Sequence, residues 1–236
     1  MALPKIEHPT FDVSLPLTKQ TVRCRPFLVK EEKILLTALQ SEDNAEIINS
    51  IKQVINNCIV TEGIDVESLP TLDIELLFIR IRARSVNNVI KLAYRDNEDN
   101  KRYEVEVNLD DVIVLFDDTH TNKIKINDTT GFIMKYPTAD INAKISATDS
   151  EADLFFDILK NCIEKIYVGE DEYSAVDSTQ EELNEFLESL EVKTFTMIQE
   201  FFATSPKLHY EVKYTNSSGN ERVIVLSTLN DFFTLG

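Results

Sequence analysis

"PTLDIELLFIRIRARSVNNVIKLAYRDNEDNKRYEVEVNL", residues 70–109, decides the fold class of this chain. Its two parts have different periods. In the first sixteen residues Pro70 and Thr71 make a helix start signal, and Asp73 and Glu75 sit in the first turns. The arginines come late, where they complement the negative end of the helix dipole. Ile74, Leu77, Phe78 and Ile81 then share one face. The fragment "IRIRAR" taken alone alternates as a strand would, but the longer segment reads better as a helix. Arg80 and Arg84 stand one turn apart, able to pair with nearby carboxylates or to reach a partner. From residue 88 the apolar period becomes two, and "DNEDN" at 96–100 turns the chain into a hairpin.

Upstream, helices prevail. Residues 1–27 are punctuated by Pro4, Pro9, Pro16 and Pro26, with "TVRCR" as a short strand. "LVKEEKILLTALQ" at 28–40 and "NAEIINSIKQVINNCIV" at 44–60 read as helices, the second with an apolar stripe at 47, 48, 51, 54, 55, 58 and 59. Downstream of the hairpin, "DVIVLF", "NKIKIN" and "GFIMKY" read as strands. Residues 150–166 return to helix, capped by Ser150, with Leu154, Phe155, Ile158, Leu159 and Cys162 on the buried face.

The segment from 170 to 191 holds nine acidic residues and no Lys or Arg. Ser178-x-x-Glu181 and Thr179-x-x-Glu182 both fit a capping box. Leu183, Phe186, Leu187 and Leu190 make an apolar stripe on this otherwise anionic helix. A further helix carries Phe195, Phe201 and Phe202 and stops at Pro206. Residues 207–227 form a hairpin around "SSGN", and a tail with Phe232, Phe233 and Leu235 closes the sequence.

The chain of 236 residues can bury a core without staples. The expected fold class is α+β: N-terminal helices, an antiparallel β-rich middle, and a mixed helix and hairpin C-terminal part. The corresponding parts are 1–87, 88–145 and 146–236, as separate domains or one continuous domain. No run of eighteen apolar residues occurs, so no membrane helix is expected, and the N-terminus does not read as a secretory signal. Three dispersed cysteines, Cys24, Cys58 and Cys162, read as reduced thiols of a cytoplasmic protein.

Charge is unevenly placed. Residues 1–95 carry 12 Lys/Arg against 12 Asp/Glu, and residues 96–236 carry 12 against 29. An acidic half of this kind repels phosphate backbones and anionic lipid, so neither nucleic acid nor membrane is expected as a partner.

Chemistry is hard to find. His8, His120 and His209 are scattered, and there is no C-x-x-C, H-x-x-x-H or H-E-x-x-H, the close spacing a zinc site needs. The five glycines lie far apart, which argues against a phosphate-cradling loop. "DDTH", with Asp117, Asp118 and His120, is the best candidate for a cation, yet Asp and Thr between strands are ordinary turn residues. No catalytic residue, metal or cofactor is expected, and Gly131 is read as permitting a turn. Contact with other proteins is the favoured function. Its candidate residues are Arg80, Arg84, Leu183, Phe186, Leu187, Leu190, Phe201 and Phe202.

The order of five segments carries a family resemblance: "ALPKIEHPTFDVSLP", "RCRPFLVKEEKILLTAL", "IKQVINNCI", "LPTLDIELLFIRIRARSV" and "HTNKIKINDTTGFIMKYPT". Over about residues 2–140 they resemble the baseplate hub subunit family of T4-like contractile-tailed phages. The resemblance implies a non-enzymatic phage tail protein acting in the structure or assembly of the baseplate hub. Hub or tape-measure proteins are its implied partners. It also implies a location in the host cytoplasm during assembly or in the virion tail. A transient assembly chaperone that leaves before maturation is the alternative. A phage hydrolase or nuclease finds no support in the residues.

Overall fold

The computed structural model describes residues 7–41, 44–141 and 150–233. Leu235 of the apolar tail lies outside them. The fold is α+β, built from helices and small antiparallel sheets in two compact units. The first unit joins residues 1–115 to 207–236, and the second is residues 116–206.

The first unit opens with a two-stranded sheet of β1 (Phe11–Ser14) and β2 (Thr21–Cys24). Helices α1 (Val29–Ser41) and α2 (Asn44–Cys58) follow, and α2 packs on α3 (Thr71–Ser85). The four apolar residues expected on the face of α3 are all buried. So are Leu72, Leu76, Ile79 and Ala83, and even Asp73 is inaccessible to solvent. A helix apolar on most sides is a central helix, enclosed by its neighbours. The apparent alternation of "IRIRAR" has the same cause, since Ile79, Ile81 and Ala83 are all inside.

After α3 come β3 (Val89–Arg95) and β4 (Arg102–Asn108), paired from Val89↔Asn108 to Arg95↔Arg102 around the expected turn. A 3-10 turn at Leu109–Asp111 leads to β5 (Ile113–Leu115). The chain re-enters this unit at β10 (Lys207–Thr215), which pairs with β5 through Leu208↔Val114 and with β11 (Glu221–Leu226). Residues 115 and 207 therefore face each other across one sheet, and the second unit is an insertion between them. The core gathers Leu76 and Ile79 of α3, Val105 and Val107 of β4, Leu208 and Val212 of β10, Leu226, and Phe232 of the last helix.

The second unit is a two-layer sandwich. Its sheet has the order β6-β7-β8-β9: β6 (Lys123–Lys125), β7 (Thr130–Met134), β8 (Ile163–Val168) and β9 (Asp171–Ser174). On one face lie α4 (Glu151–Cys162), α5 (Gln180–Glu188) and α6 (Val192–Thr204). Ser150 caps α4 as expected, its hydroxyl accepting from Asp153 N at 3.3 Å. That helix ends at Cys162, earlier than its pattern suggests, and Ile163 starts a strand at once. Periodicity does not announce β9. The signal lies in Gly169, whose φ of +64° lets Gly169-Glu170 serve as a two-residue hairpin loop between the paired Val168 and Asp171.

Gly131 sits inside β7 and makes no turn. It is opposite Tyr167, whose ring occupies the space above it, and a β-carbon there would meet the Tyr167 hydroxyl and the Ile124 carbonyl. The glycine is a gap that an aromatic ring fills.

Candidate functional site

In the first unit, Arg80 and Arg84 of α3 are fastened to the 3-10 turn after β4. Arg80 donates to the carbonyls of Leu109 at 2.7 Å, Asp110 at 3.0 Å and Val112 at 2.6 Å. Burial lowers its pKa, against the pull of the Asp110 charge, and three carbonyls replace its lost water. Arg84 grips both carboxylate oxygens of Asp110, at 2.8 and 3.0 Å, and Asn88 adds a bond of 3.0 Å. Burial pushes the Asp110 carboxyl up, but Asn88 and Arg84 outweigh it and hold it low. An open groove of about 630 Å³ runs beside these groups, with Phe11 and Val13 on its other wall. Both guanidiniums in the groove already have partners.

Buried charge recurs in this unit. Asp73 accepts from Leu17 N at 3.1 Å and Thr18 N at 3.0 Å, tying the β1–β2 turn to the central helix. Glu31, also inaccessible, takes Arg25 at 2.9 Å and Leu28 N at 2.9 Å. The hairpin tips form a third cluster. Tyr214 donates to Asp96 and Ser217 to Asp99, while Asn216, Asn220 and Arg222 all reach Glu98. The Tyr103 hydroxyl bond leads the causes that hold Asp99 far below the usual carboxylate range. These acids are already taken up by donors from both hairpins.

In the second unit the residues expected to meet a partner point inward. Leu183 and Leu187 of α5 and Phe201 of α6 are buried in the core. Phe186 sets its edge on Phe132 with centroids 5.6 Å apart, and Leu190 packs beside it. Phe202 contacts Phe155 at 5.8 Å and Phe201 at 5.2 Å. Of the two capping boxes, Thr179 with Glu182 is the one formed: Glu182 N donates to the Thr179 hydroxyl at 3.2 Å, and Thr179 N to the Glu182 carboxylate at 2.8 Å.

The "DDTH" segment is a turn with one structural ring. Asp117 accepts from Thr119 N at 2.8 Å, as an Asx turn does. His120 lies 2.9 Å from the Thr204 hydroxyl through Nδ1 and 2.9 Å from the Tyr136 hydroxyl through Nε2. Thr204 spends its proton on Glu200 O, so His120 Nδ1–H donates to it and Nε2 accepts from Tyr136. That is a neutral imidazole, in keeping with a pKa that burial lowers. Among the described residues no group of three or more His, Cys, Asp or Glu is placed to hold a metal. The three cysteines are free and buried, and burial raises Cys24 and Cys162 to about 12 and Cys58 to about 11, so each is a thiol at neutral pH.

What the site residues leave outside is charge. The second unit carries seven Lys and no Arg against nineteen Asp/Glu, and the first carries 17 basic against 22 acidic residues. Glu181, Glu185 and Glu188 are exposed on α5, and Val176 and Val192, at 82% and 83% exposure, stand close to it in sequence.

One family, described as T4 bacteriophage base plate protein, has a model that matches residues 8–234. The chain belongs to that family. The match runs through both units of the base plate protein, including the acidic segment. No curated protein and no solved structure matches the chain. Among the described residues no helix is long and apolar enough to cross a membrane. The base plate family is one of structural proteins of the phage tail, and a role of that kind agrees with polar groups that are spent on holding turns.

Proposed function

We propose that this base plate protein acts in the structure or assembly of the baseplate hub, by contact with other tail proteins and without catalysis. The observation that carries the reading is the family match over nearly the whole chain. Hub or tape-measure proteins are the partners in this reading. The cell of assembly is the host cytoplasm, and the tail baseplate is the final location. Contact falls on the exposed Arg84 and on the outer faces of α5 and α6, the helices that bear Leu183, Phe186, Leu187, Leu190, Phe201 and Phe202, because Arg80 and several of these apolar side chains are consumed by the fold beneath. Quantitative mass spectrometry of purified particles beside the infected-cell lysate tests it. A fixed low copy number per particle is expected.

A second reading is a transient chaperone for hub or tape-measure segments. The exposed acidic face of α5 favours it, since a charged rim speeds encounter and keeps release easy. In that case the protein is abundant in the lysate and missing from the particle. Normal, infectious tails from a phage lacking the gene would sink both.

A further inference from the structure

The second unit has one face that breaks its acidic character. Register fixes the composition of that face: Lys123↔Ile133↔Lys165↔Ser174 form one row across the sheet, and Lys125↔Gly131↔Tyr167↔Glu172 the next. The opposite face carries Ile124, Phe132 and Ile166 and is covered by the helices. The lysine face is uncovered, with Lys123 and Lys125 exposed. Three of the unit's seven lysines lie in these two rows beside a single acid, Glu172. The remainder of the unit holds four lysines against eighteen acids.

The face is built to stay in shape. Tyr167 lies over the gap at Gly131, and Lys123 Nζ stands 4.8 Å from the Tyr167 ring centroid. Lys165 is paired with Glu172 at 2.8 Å. Lys125 has no ion pair among the described residues. On the other side of the sandwich Glu181 and Glu185, one turn apart on α5, are exposed and without ion pairs among the described residues. A basic aromatic platform and an acidic helix ridge therefore sit on opposite sides of one unit.

We propose that the lysine face of the second unit binds the acidic α5 ridge of a second copy of this chain. The argument is charge complementarity: the chain itself carries, on α5, an exposed surface of the opposite charge to this platform. The contact is head-to-tail, because the two patches are different and on opposite sides. Such heterologous contacts leave one free patch of each kind and close into rings or extend. The inference adds to the baseplate reading and does not depend on it.

Sedimentation velocity of the full chain over a concentration series, in about 50 mM and about 500 mM NaCl, tests it. Association that rises with concentration at low salt and fades at high salt is expected. Lys123→Glu with Lys125→Glu, and separately Glu181→Lys with Glu185→Lys, each weaken association by about tenfold or more. Mixing the two variants restores it, because each then offers the other a complementary face. All four positions are exposed, and circular dichroism checks that both variants fold. A wild type that stays monomeric at low salt overturns the proposal, as does association indifferent to the lysine reversals. A monomer whose lysine face binds a labelled oligonucleotide also overturns it and assigns the face to nucleic acid. None of these outcomes bears on particle copy number, which tests the baseplate role separately.

Discussion

In the first unit, Asp73, Glu31, Arg80 and Asp96 are charged side chains drawn inside or against the core, each binding a turn or a hairpin end. In the second, aromatic rings meet one another in and around the core. Phe201 touches His120 at 5.1 Å, Tyr136 at 5.7 Å and Phe202, and Phe155 meets both Phe195 and Phe202. The second unit also encloses an ion pair of its own, Lys160 with Asp157 at 2.6 Å. The difference follows from topology. The first unit joins segments far apart in sequence, and its turns need directional bonds to find their seats. The second must hold three helices on a four-stranded sheet within 91 residues. Phe side chains, which bury about 150–250 Å² each, give a small core the most area per residue.

The largest test of this contrast is Phe201→Ala. Truncating a buried Phe costs about 3–5 kcal/mol. Hydrogen-exchange mass spectrometry should show lost protection in residues 116–206, with the first unit close to wild type. Equal loss in both units would break the picture of two separately held cores. Asp73→Ala should act on the other side. Two backbone N–H groups lose a charged acceptor, for about 2–3 kcal/mol, and the loss should centre on the β1–β2 turn. Urea denaturation reads the magnitude, and an unchanged midpoint would mean that water replaces the carboxylate freely.

Acid and base should separate the units further. Burial raises Glu75 of α3 to about 7 from 4.5, against a bond from Leu229 N and with the Asp231 charge adding to the rise. The folded state then holds a proton that the unfolded state releases. Stability from this group is complete below pH 4.5 and falls as pH rises through about 7, by about 3 kcal/mol in all. Glu75→Gln keeps an acceptor for Leu229 and should remove the fall, leaving the variant more stable than wild type at pH 8 and alike at pH 4. His120 has the opposite sign. Its folded pKa is depressed below 6.5, so the second unit loses stability as pH drops from neutrality through 6.5 toward the folded value. Chemical denaturation at several pH values, followed by exchange in each unit, should resolve both slopes. The smallest effect is Thr179→Ala, which removes the capping box of α5 for about 1 kcal/mol and should fray only the start of that helix.

Much of this was legible along the chain. The stripe of α2 apart from the exposed Ile48, the hairpin at 88–109, the Ser150 and Thr179 caps and the terminal hairpin are written in residues within one or two turns of each other. Local period and capping act at that range, so a linear reading reaches them. The α+β class rests on the same patterns, and the family resemblance on five segments in their order along the chain. The tertiary structure alone decided where these elements meet. Nothing near Lys207 says that its strand pairs with residues 113–115, which makes the acidic segment an insertion. Nothing near Gly131 says that Tyr167 will lie over it. The arginines of α3 and the leucines of α5 looked like contact surface because their partners lie in remote segments: Arg80 reaches residues 109–112, and Leu183 shares a core with Phe132 and Phe201. An amphipathic stripe states that a face will be covered. Which segment covers it depends on long-range contacts whose free energy is set only once the whole chain has folded.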